Sequence, residues 1–233
     1  MVKKLHFIFL FTSCSLFAQI PTSLIEPVDN IDNFDEFSGS IYKNQTFKSA
    51  NVIDEKSGTF DAKLRYNIHT DALEFDKGDE LYKILKTTTI HARINEEYYY
   101  YCNFKNQRHQ KKDGYYVLVE LSDNYSIYKK YTLDIIHAPT STSVVTNGEK
   151  EPGRIRLITT YYLEERGIIK ELPTDKKNLV ATFSDLQDEL KDYMKIEKIR
   201  PRKEEDLKRL VAKYNALKNI NSNGGSKSLL SNN

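Results

Sequence analysis

Residues 58–68 read Gly58-Thr59-Phe60-Asp61-Ala62-Lys63-Leu64-Arg65-Tyr66-Asn67-Ile68. Apolar side chains occupy every second position from Phe60 to Ile68, and polar or charged side chains occupy the positions between them. Because successive side chains of a β-strand point to opposite faces, the alternation predicts a strand with one buried face and one solvated face. Such a strand is typical of an antiparallel sheet that covers a core on one side only.

Further runs rich in β-branched and aromatic residues follow this stretch at short intervals. They cover residues 81–85, 88–94, 98–104, 115–121, 126–136, 155–163 and 168–172. Turn-forming residues separate them, as in Asp76-Lys77-Gly78-Asp79 and Lys111-Lys112-Asp113-Gly114. Short strands at hairpin spacing predict an antiparallel β-meander that curls into a sandwich or an open barrel.

The periodicity becomes helical toward the C-terminus. Ser184-Asp185-Leu186-Gln187 fits a capping box, in which the serine and glutamine side chains satisfy backbone groups at a helix start. A second helix is predicted after Pro201, with acidic residues in its first turn. Glu204 lies four residues before Lys208, a spacing that favours an ion pair on that helix. The pattern therefore predicts a two-helix hairpin.

The predicted fold class is α+β, mainly β, and the chain divides into five parts. A signal peptide covers 1–18, and a flexible lead-in with Pro21 and Pro27 covers 19–39. The antiparallel β-domain covers 40–173, and the helical hairpin packed on it covers 174–220. A disordered tail rich in Asn, Ser and Gly covers 221–233.

The N-terminus has the pattern of a secretory leader. Lys3 and Lys4 precede an apolar run over 5–17, and Ala18 precedes Gln19. A cationic start, a short apolar run and a small residue before the cut describe a cleavable signal peptide. The run is shorter than the roughly 20 apolar residues that span a bilayer, so no transmembrane span is expected. Cleavage between Ala18 and Gln19 predicts a periplasmic or extracellular protein.

A second cleavage site competes with the first one. Phe11-Thr12-Ser13-Cys14 is a loose lipoprotein box, in which Cys14 would become the lipidated first residue. The apolar stretch continues past Cys14, whereas lipoproteins usually become polar there. An outer-membrane lipoprotein anchored at Cys14 is therefore the alternative to a protein without a lipid anchor.

Charge and cysteine content exclude two classes of protein. The chain has 35 basic and 33 acidic residues, and removal of the leader with Lys3 and Lys4 leaves the two numbers equal. A neutral chain has no electrostatic footprint for nucleic acid. Cleavage at Ala18 leaves Cys102 as the single cysteine, so an intramolecular disulfide cannot form.

Motifs for catalysis, metals and cofactors are missing from the sequence. The four histidines outside the leader do not have the spacing of metal ligands, and neither a nucleophile elbow nor a phosphate-binding loop occurs. Glu74, Glu120 and Glu164 lie on or near predicted strands, but the sequence does not place two of them at hydrolytic spacing. We therefore expect no catalytic residue, metal or cofactor, with a hydrolase of unplaced carboxylates as an alternative.

The tyrosine run Tyr98-Tyr99-Tyr100-Tyr101 is the most unusual local feature. In a strand, Tyr99 and Tyr101 share one face, which Tyr115 of another strand would extend into an exposed aromatic ladder. Tyrosine combines an apolar ring with a polar hydroxyl, a combination that suits protein interfaces and sugar stacking. Tyr99, Tyr101 and Tyr115 are therefore candidate binding residues, and an open groove along them would indicate a carbohydrate-binding module. Packing of these rings within the sheet is the other interpretation.

Two further features bear on binding. Arg65 and Glu74 would face each other if the chain turns near residues 69–71, and they either pin the hairpin register or contribute to a binding site. The long Ser-, Thr- and Pro-containing loop over 138–153 is either functional or disordered.

Several short motifs resemble those of a known group of proteins. Leu64-Arg65-Tyr66-Asn67, Leu73-Glu74-Phe75 and the ending Lys213-Tyr214-Asn215 are similar to motifs of uncharacterised secreted proteins common in Bacteroidota. The resemblance implies bacterial export, a β-rich body and a helical C-terminus, and it implies no activity. Together with the residue patterns it predicts an exported, non-enzymatic envelope or secreted protein that binds a protein or glycan partner.

Cleavage after Ala18 is directly testable by intact mass. Protein purified from its native host should have the mass of a chain that begins at Gln19, with or without cyclisation of that glutamine. A diacylglyceryl or triacylglyceryl mass on a chain beginning at Cys14 would contradict this site and show a membrane anchor.

Overall fold

The computed structural model of the chain describes residues 20–28, 33–78, 80–138 and 152–224. The predicted leader with Ala18 and Gln19, residues 139–151 of the predicted loop and the end of the predicted tail lie outside the described residues. Export, cleavage and the role of that loop therefore stay predictions.

The described residues form twelve strands, which hydrogen-bond into one sheet, and three α-helices. The strands are β1 (Ile25–Pro27), β2 (Phe37–Ser38), β3 (Lys48–Asp54), β4 (Gly58–Asn67), β5 (Ala72–Lys77), β6 (Glu80–Ile84), β7 (Ile90–Ile94), β8 (Glu97–Asn106), β9 (Lys111–Leu121), β10 (Ser126–Ile136), β11 (Gly153–Glu165) and β12 (Ile168–Leu172). The helices are α1 (Lys176–Thr182), α2 (Gln187–Ile196) and α3 (Glu204–Gly224). The predicted α+β, mainly β class is confirmed.

The sheet has an open part and a closed part. Its strands lie in the order β1-β6-β5-β4-β3-β7-β8-β12-β11-β10-β9, and β9 also pairs with β8. Strands β8 to β12 therefore close into a five-stranded barrel, while β1 and β3 to β7 form the open sheet. All pairs are antiparallel except β12 with β8 and β2 with β11. The predicted antiparallel sheet that curls is thus confirmed.

Strand β3 changes the path of the chain. It pairs with β4 on one side and with β7 on the other. After β6 the chain crosses over to the free edge of β3, where it forms β7, and then continues into β8. This crossover joins two antiparallel meanders. β3 was not predicted, because only Val52 and Ile53 are large apolar residues in it.

The strand predicted first, β4, has the expected two faces. Leu64 and Tyr66 are buried in the core of the open sheet, and Phe60 and Ala62 pack against it. Asp61 on the opposite face accepts a hydrogen bond at 2.6 Å from the side chain of Asn51 on β3. The alternation in sequence is therefore the alternation between core and solvent.

The prediction of a flexible lead-in over 19–39 is wrong for residues 20–27. This segment forms a 3₁₀ turn at Thr22–Leu24 and then β1, which pairs with β6 at the edge of the sheet. Ile20 and Leu24 are buried in the core of the open sheet. Burial of these side chains fixes the segment despite its two prolines, because apolar area removed from water outweighs the weak local propensity.

The helical region differs from the prediction at three points. α1, capped by Asp175, precedes the predicted hairpin of α2 and α3. The capping box at Ser184 is wrong, because α2 begins after Leu186 without a side-chain cap. Leu186 is buried and Phe183 is fully buried, so packing sets the helix start. α3 continues to Gly224, four residues into the predicted tail, since adding one residue to an existing helix costs little.

The helices cover the outside of the barrel. Ile127, Leu163 and Leu172 on the barrel strands pack against apolar residues of all three helices. The barrel interior is filled by Phe104, Tyr116 and Ile169, with Cys102 beside them. Within the described part of the chain, no helix has the length and apolar character needed to cross a membrane.

Candidate functional site

Of the three tyrosines chosen from sequence, two are buried and Tyr101 is half-buried. Tyr99 and Tyr115 are each 1% exposed, and Tyr101 packs against the same core. The ring centroids of Tyr101 and Tyr115 are 5.5 Å apart, and those of Tyr66 and Tyr99 are 5.2 Å apart. The prediction of an exposed ladder through Tyr99, Tyr101 and Tyr115 is therefore wrong, and these rings pack within the sheet.

The opposite face of the same strand reaches the surface. Tyr98 and Tyr100 are half-buried and lie opposite Arg93 and His91 of β7. The rings of His91 and Tyr100 stack at 4.8 Å with 15° between their planes. The guanidinium carbon of Arg93 lies 5.4 Å from the ring centroid of Tyr98. We call these four side chains the outer tyrosine face.

The side chains beside the two tyrosine rings determine which chemical groups the outer tyrosine face exposes. His91 covers one face of the Tyr100 ring, and Arg93 covers one face of the Tyr98 ring. Burial lowers the pKa of His91 from its ordinary value, against a smaller opposing effect of Glu55, which favours the neutral imidazole. The face therefore presents the uncovered parts of two tyrosine rings, hydroxyl groups and one cation, a composition enriched in protein interfaces.

Arg65 and Glu74 meet as predicted, in the form of a closed structural cluster. They are paired across β4 and β5, and Arg65 Nη2 lies 2.9 Å from Glu74 Oε2. Asn67 donates to Glu74 Oε1 at 2.7 Å, and Glu74 is 2% exposed. The guanidinium of Arg65 lies over the ring of Tyr42, 3.9 Å from its centroid. Because the partners of both side chains belong to the protein itself, we interpret the pair as an interaction that fixes the register of the β4–β5 hairpin.

A cluster around Asp71, which was not predicted, joins the open sheet to the barrel. The carboxylate accepts from the Tyr66 hydroxyl, from the Tyr115 backbone N–H at 3.2 Å and from Lys130 at 3.5 Å. These partners belong to β4, β9 and β10. Gly114 allows the approach, because a Cβ there would overlap Lys130 Nζ and Asp71 Oδ2.

A second cluster joins the barrel to α3. Lys129 Nζ lies 3.0 Å from Glu97 Oε1 and 3.1 Å from Glu204 Oε2. Burial alone would raise the pKa of Glu97, but hydrogen bonds from Tyr131, Lys129 and Tyr99 outweigh it and lower this pKa. Glu97 is therefore ionised near neutral pH, which suits a structural ion pair better than proton donation. The predicted pairing of Glu204 with Lys208 is replaced by this contact.

The carboxylates considered for hydrolysis each have a separate partner. Glu74 binds Arg65, Glu120 accepts from the Tyr125 hydroxyl at 2.7 Å, and Glu164 accepts from the Gly167 backbone N–H at 2.6 Å. No group of three His, Cys, Asp or Glu side chains in the described ranges has a metal-binding arrangement. Burial raises the pKa of the Cys102 thiol to about 12, which opposes its use as a nucleophile.

A cleft of about 850 Å³ separates the end of the barrel from α3. Its walls come from the turn between β9 and β10, the turn between β11 and β12, and α3. Lys218 of α3 spans it with an ion pair to Glu165 at 3.0 Å. Ligand pockets are lined mainly by apolar groups. This cleft is polar, and an ion pair connects its two walls, so we interpret it as the boundary between α3 and the barrel.

Comparison of the chain with family models, with curated proteins and with solved structures finds no match in any of the three.

The role of Gly114 can be tested against a matched glycine. Gly58 also has a positive φ, of 95°, but a Cβ there would meet nothing within 4 Å. We expect Gly58→Ala to lower the free energy of unfolding by about 1 kcal/mol, from backbone strain alone. Gly114→Ala should cost about 1 kcal/mol more, because Lys130 Nζ and the Asp71 carboxylate must shift away from the new Cβ and weaken their pair. Equal losses in urea unfolding would contradict the role given to this cluster.

Proposed function

We propose that the chain is an exported, non-enzymatic protein of the cell envelope or the medium that binds a protein partner through the outer tyrosine face. The observation that carries the proposal is the pairing of Tyr98 with Arg93 and of Tyr100 with His91 on a half-exposed strand face. Tyrosine and arginine are the residues that most often dominate binding energy at protein interfaces.

The rigidity of the outer tyrosine face supports this role. Behind it, Tyr99 of β8 and Ala92 of β7 are fully buried and hold the two strands against the core. Side chains on paired strands lose little conformational freedom on binding, which lowers the entropic cost of association. The export part of the proposal is supported by the leader sequence alone.

The two alternatives receive less support. A carbohydrate-binding module stacks sugar rings on open aromatic faces, but His91 and Arg93 each cover a face of the tyrosines here. A glycoside hydrolase needs two cooperating carboxylates, and Glu74, Glu120 and Glu164 each accept a hydrogen bond from a different protein group.

Site-specific photo-crosslinking in the producing cell tests the proposal. A benzophenone amino acid replaces Tyr98 in one variant and Tyr193, a half-buried tyrosine of α2, in the control. We expect a discrete protein adduct at position 98 and only background labelling at position 193, because the crosslinker reacts with whatever lies in contact with it.

Other outcomes of this experiment have distinct meanings. A glycan adduct at position 98 would support the carbohydrate-binding alternative instead. Equal labelling of positions 98 and 193, or no adduct at position 98, would contradict a partner site on the outer tyrosine face. Both variants should unfold near the temperature of the unmodified protein, because Tyr98 and Tyr193 are each only half-buried.

A further inference from the structure

The edge of β11 is paired only in part. β10 covers one side of β11 along its whole length, from residue 154 to residue 164. On the other side, β2 pairs at Gly153 and Arg154, and β12 pairs from Tyr161 onward. Among the described residues, no strand pairs with 155–160 on this second side. We call this gap between β2 and β12 the β11 notch.

The direction of the backbone groups follows from the neighbouring hydrogen bonds. The N–H of Gly153 donates to the carbonyl oxygen of Glu36, on the side where β2 lies. Alternate residues of a strand point their N–H and C=O groups to the same side, and the pairing of β10 with β11 shows no register shift. The N–H and C=O groups of Leu157 and Thr159 therefore point into the β11 notch.

The side chains at the β11 notch are accessible to a partner. Arg156 is exposed, and Leu157 and Ile158 are 45% and 43% exposed. Exposed aliphatic side chains beside unpaired backbone groups are a template for strand addition, which most proteins avoid at sheet edges. A functional reason for keeping this edge open is therefore expected.

We propose that the β11 notch binds an extended acidic peptide segment of another protein by strand addition. Gly39 packs against Ile155, so the open stretch is 156–160, and five residues of strand span about 17 Å, the length of one short peptide strand. The edge of a second copy does not fit, because its β11 continues past both ends of its own notch and would run into the β2 and β12 that bound this one. The proposal is independent of the outer tyrosine face.

Charge selects the kind of peptide. Arg154 and Arg156 lie at one end of the β11 notch, and both are exposed. Arg156 is paired with Asp134, whereas Arg154 has no carboxylate partner within the described ranges. An acidic side chain in the added strand would supply that partner, while the backbone of the peptide pairs with Leu157 and Thr159.

Two variants test the mode of binding. Thr159→Pro removes an N–H that points into the β11 notch and leaves the pairing with β10 intact, since proline is tolerated at such edge positions. Arg154→Glu reverses the charge at the end of the notch. Arg166→Glu makes the same charge change at an exposed residue in the turn between β11 and β12 and serves as the control.

The probe is a phage-displayed library of random heptapeptides, selected on the purified full chain. We expect acidic sequences whose affinity falls about tenfold or more with Thr159→Pro and with Arg154→Glu, and stays unchanged with Arg166→Glu. Failure to select any peptide, or equal binding to Thr159→Pro, would overturn the proposal. A dimer that Thr159→Pro dissociates would also overturn it, by showing a second copy at this edge.

Hydrogen exchange of the free chain gives an independent readout. The amides of Leu157 and Thr159 should exchange fast, whereas that of Ile158, which points toward β10, should be protected. Addition of a selected peptide should then protect Leu157 and Thr159. Slow exchange of these two amides in the free chain would mean that a segment of the chain already occupies the β11 notch, and would overturn the proposal.

Discussion

The register of the β7–β8 hairpin is the constraint on which the rest of the structure depends. Ile94 lies opposite Glu97 across a two-residue turn, so Ala92 lies opposite Tyr99. This register turns Tyr99 and Tyr101 into the core of the open sheet and leaves Tyr98 and Tyr100 on the surface. A slip of one residue would exchange the two pairs, because the side-chain period of a strand is two. Further along β8, Phe104 packs inside the barrel, so this one strand contributes side chains to the cores of both parts of the sheet.

Two polar clusters then fix the parts of the molecule relative to one another. Asp71, in the turn after β4, binds groups on β9 and β10, and Lys129 of β10 links Glu97 of β8 to Glu204 of α3. Separating the partners of such a cluster leaves charges that water reaches poorly, which is costly. Hydrophobic packing also joins the parts, since barrel residues such as Tyr115 and Tyr131 lie in the core of the open sheet and barrel strands pack against the helices. The polar clusters add directional contacts that select one arrangement of open sheet, barrel and helix. The outer tyrosine face and the β11 notch both lie on strands whose arrangement these contacts hold in place.

Local patterns predicted the elements of the fold well and its long-range contacts poorly. Alternation over 58–68 predicted β4, and the acidic first turn predicted the start of α3. The two-residue turn at Asn95 also indicated that Ala92 lies opposite Tyr99. Which face of β8 is buried depends on the core that packs against this strand, and the local sequence does not show that core. Glu204 was paired with the nearest suitable cation, Lys208, although Lys129 of another element is its partner. The β11 notch depends on which strands become neighbours, and no local pattern encodes that.

Nitration of the native protein with tetranitromethane, followed by peptide mass spectrometry, tests the central claim about β8 most directly. Tyr98 and Tyr100 should be modified well before Tyr99 and Tyr115, because the latter rings are buried and burial raises the pKa of their hydroxyl groups. Unfolded protein should show equal modification of all four tyrosines. Faster modification of Tyr99 than of Tyr98 in the native protein would show the opposite register, and would contradict the assignment of both the core and the outer tyrosine face.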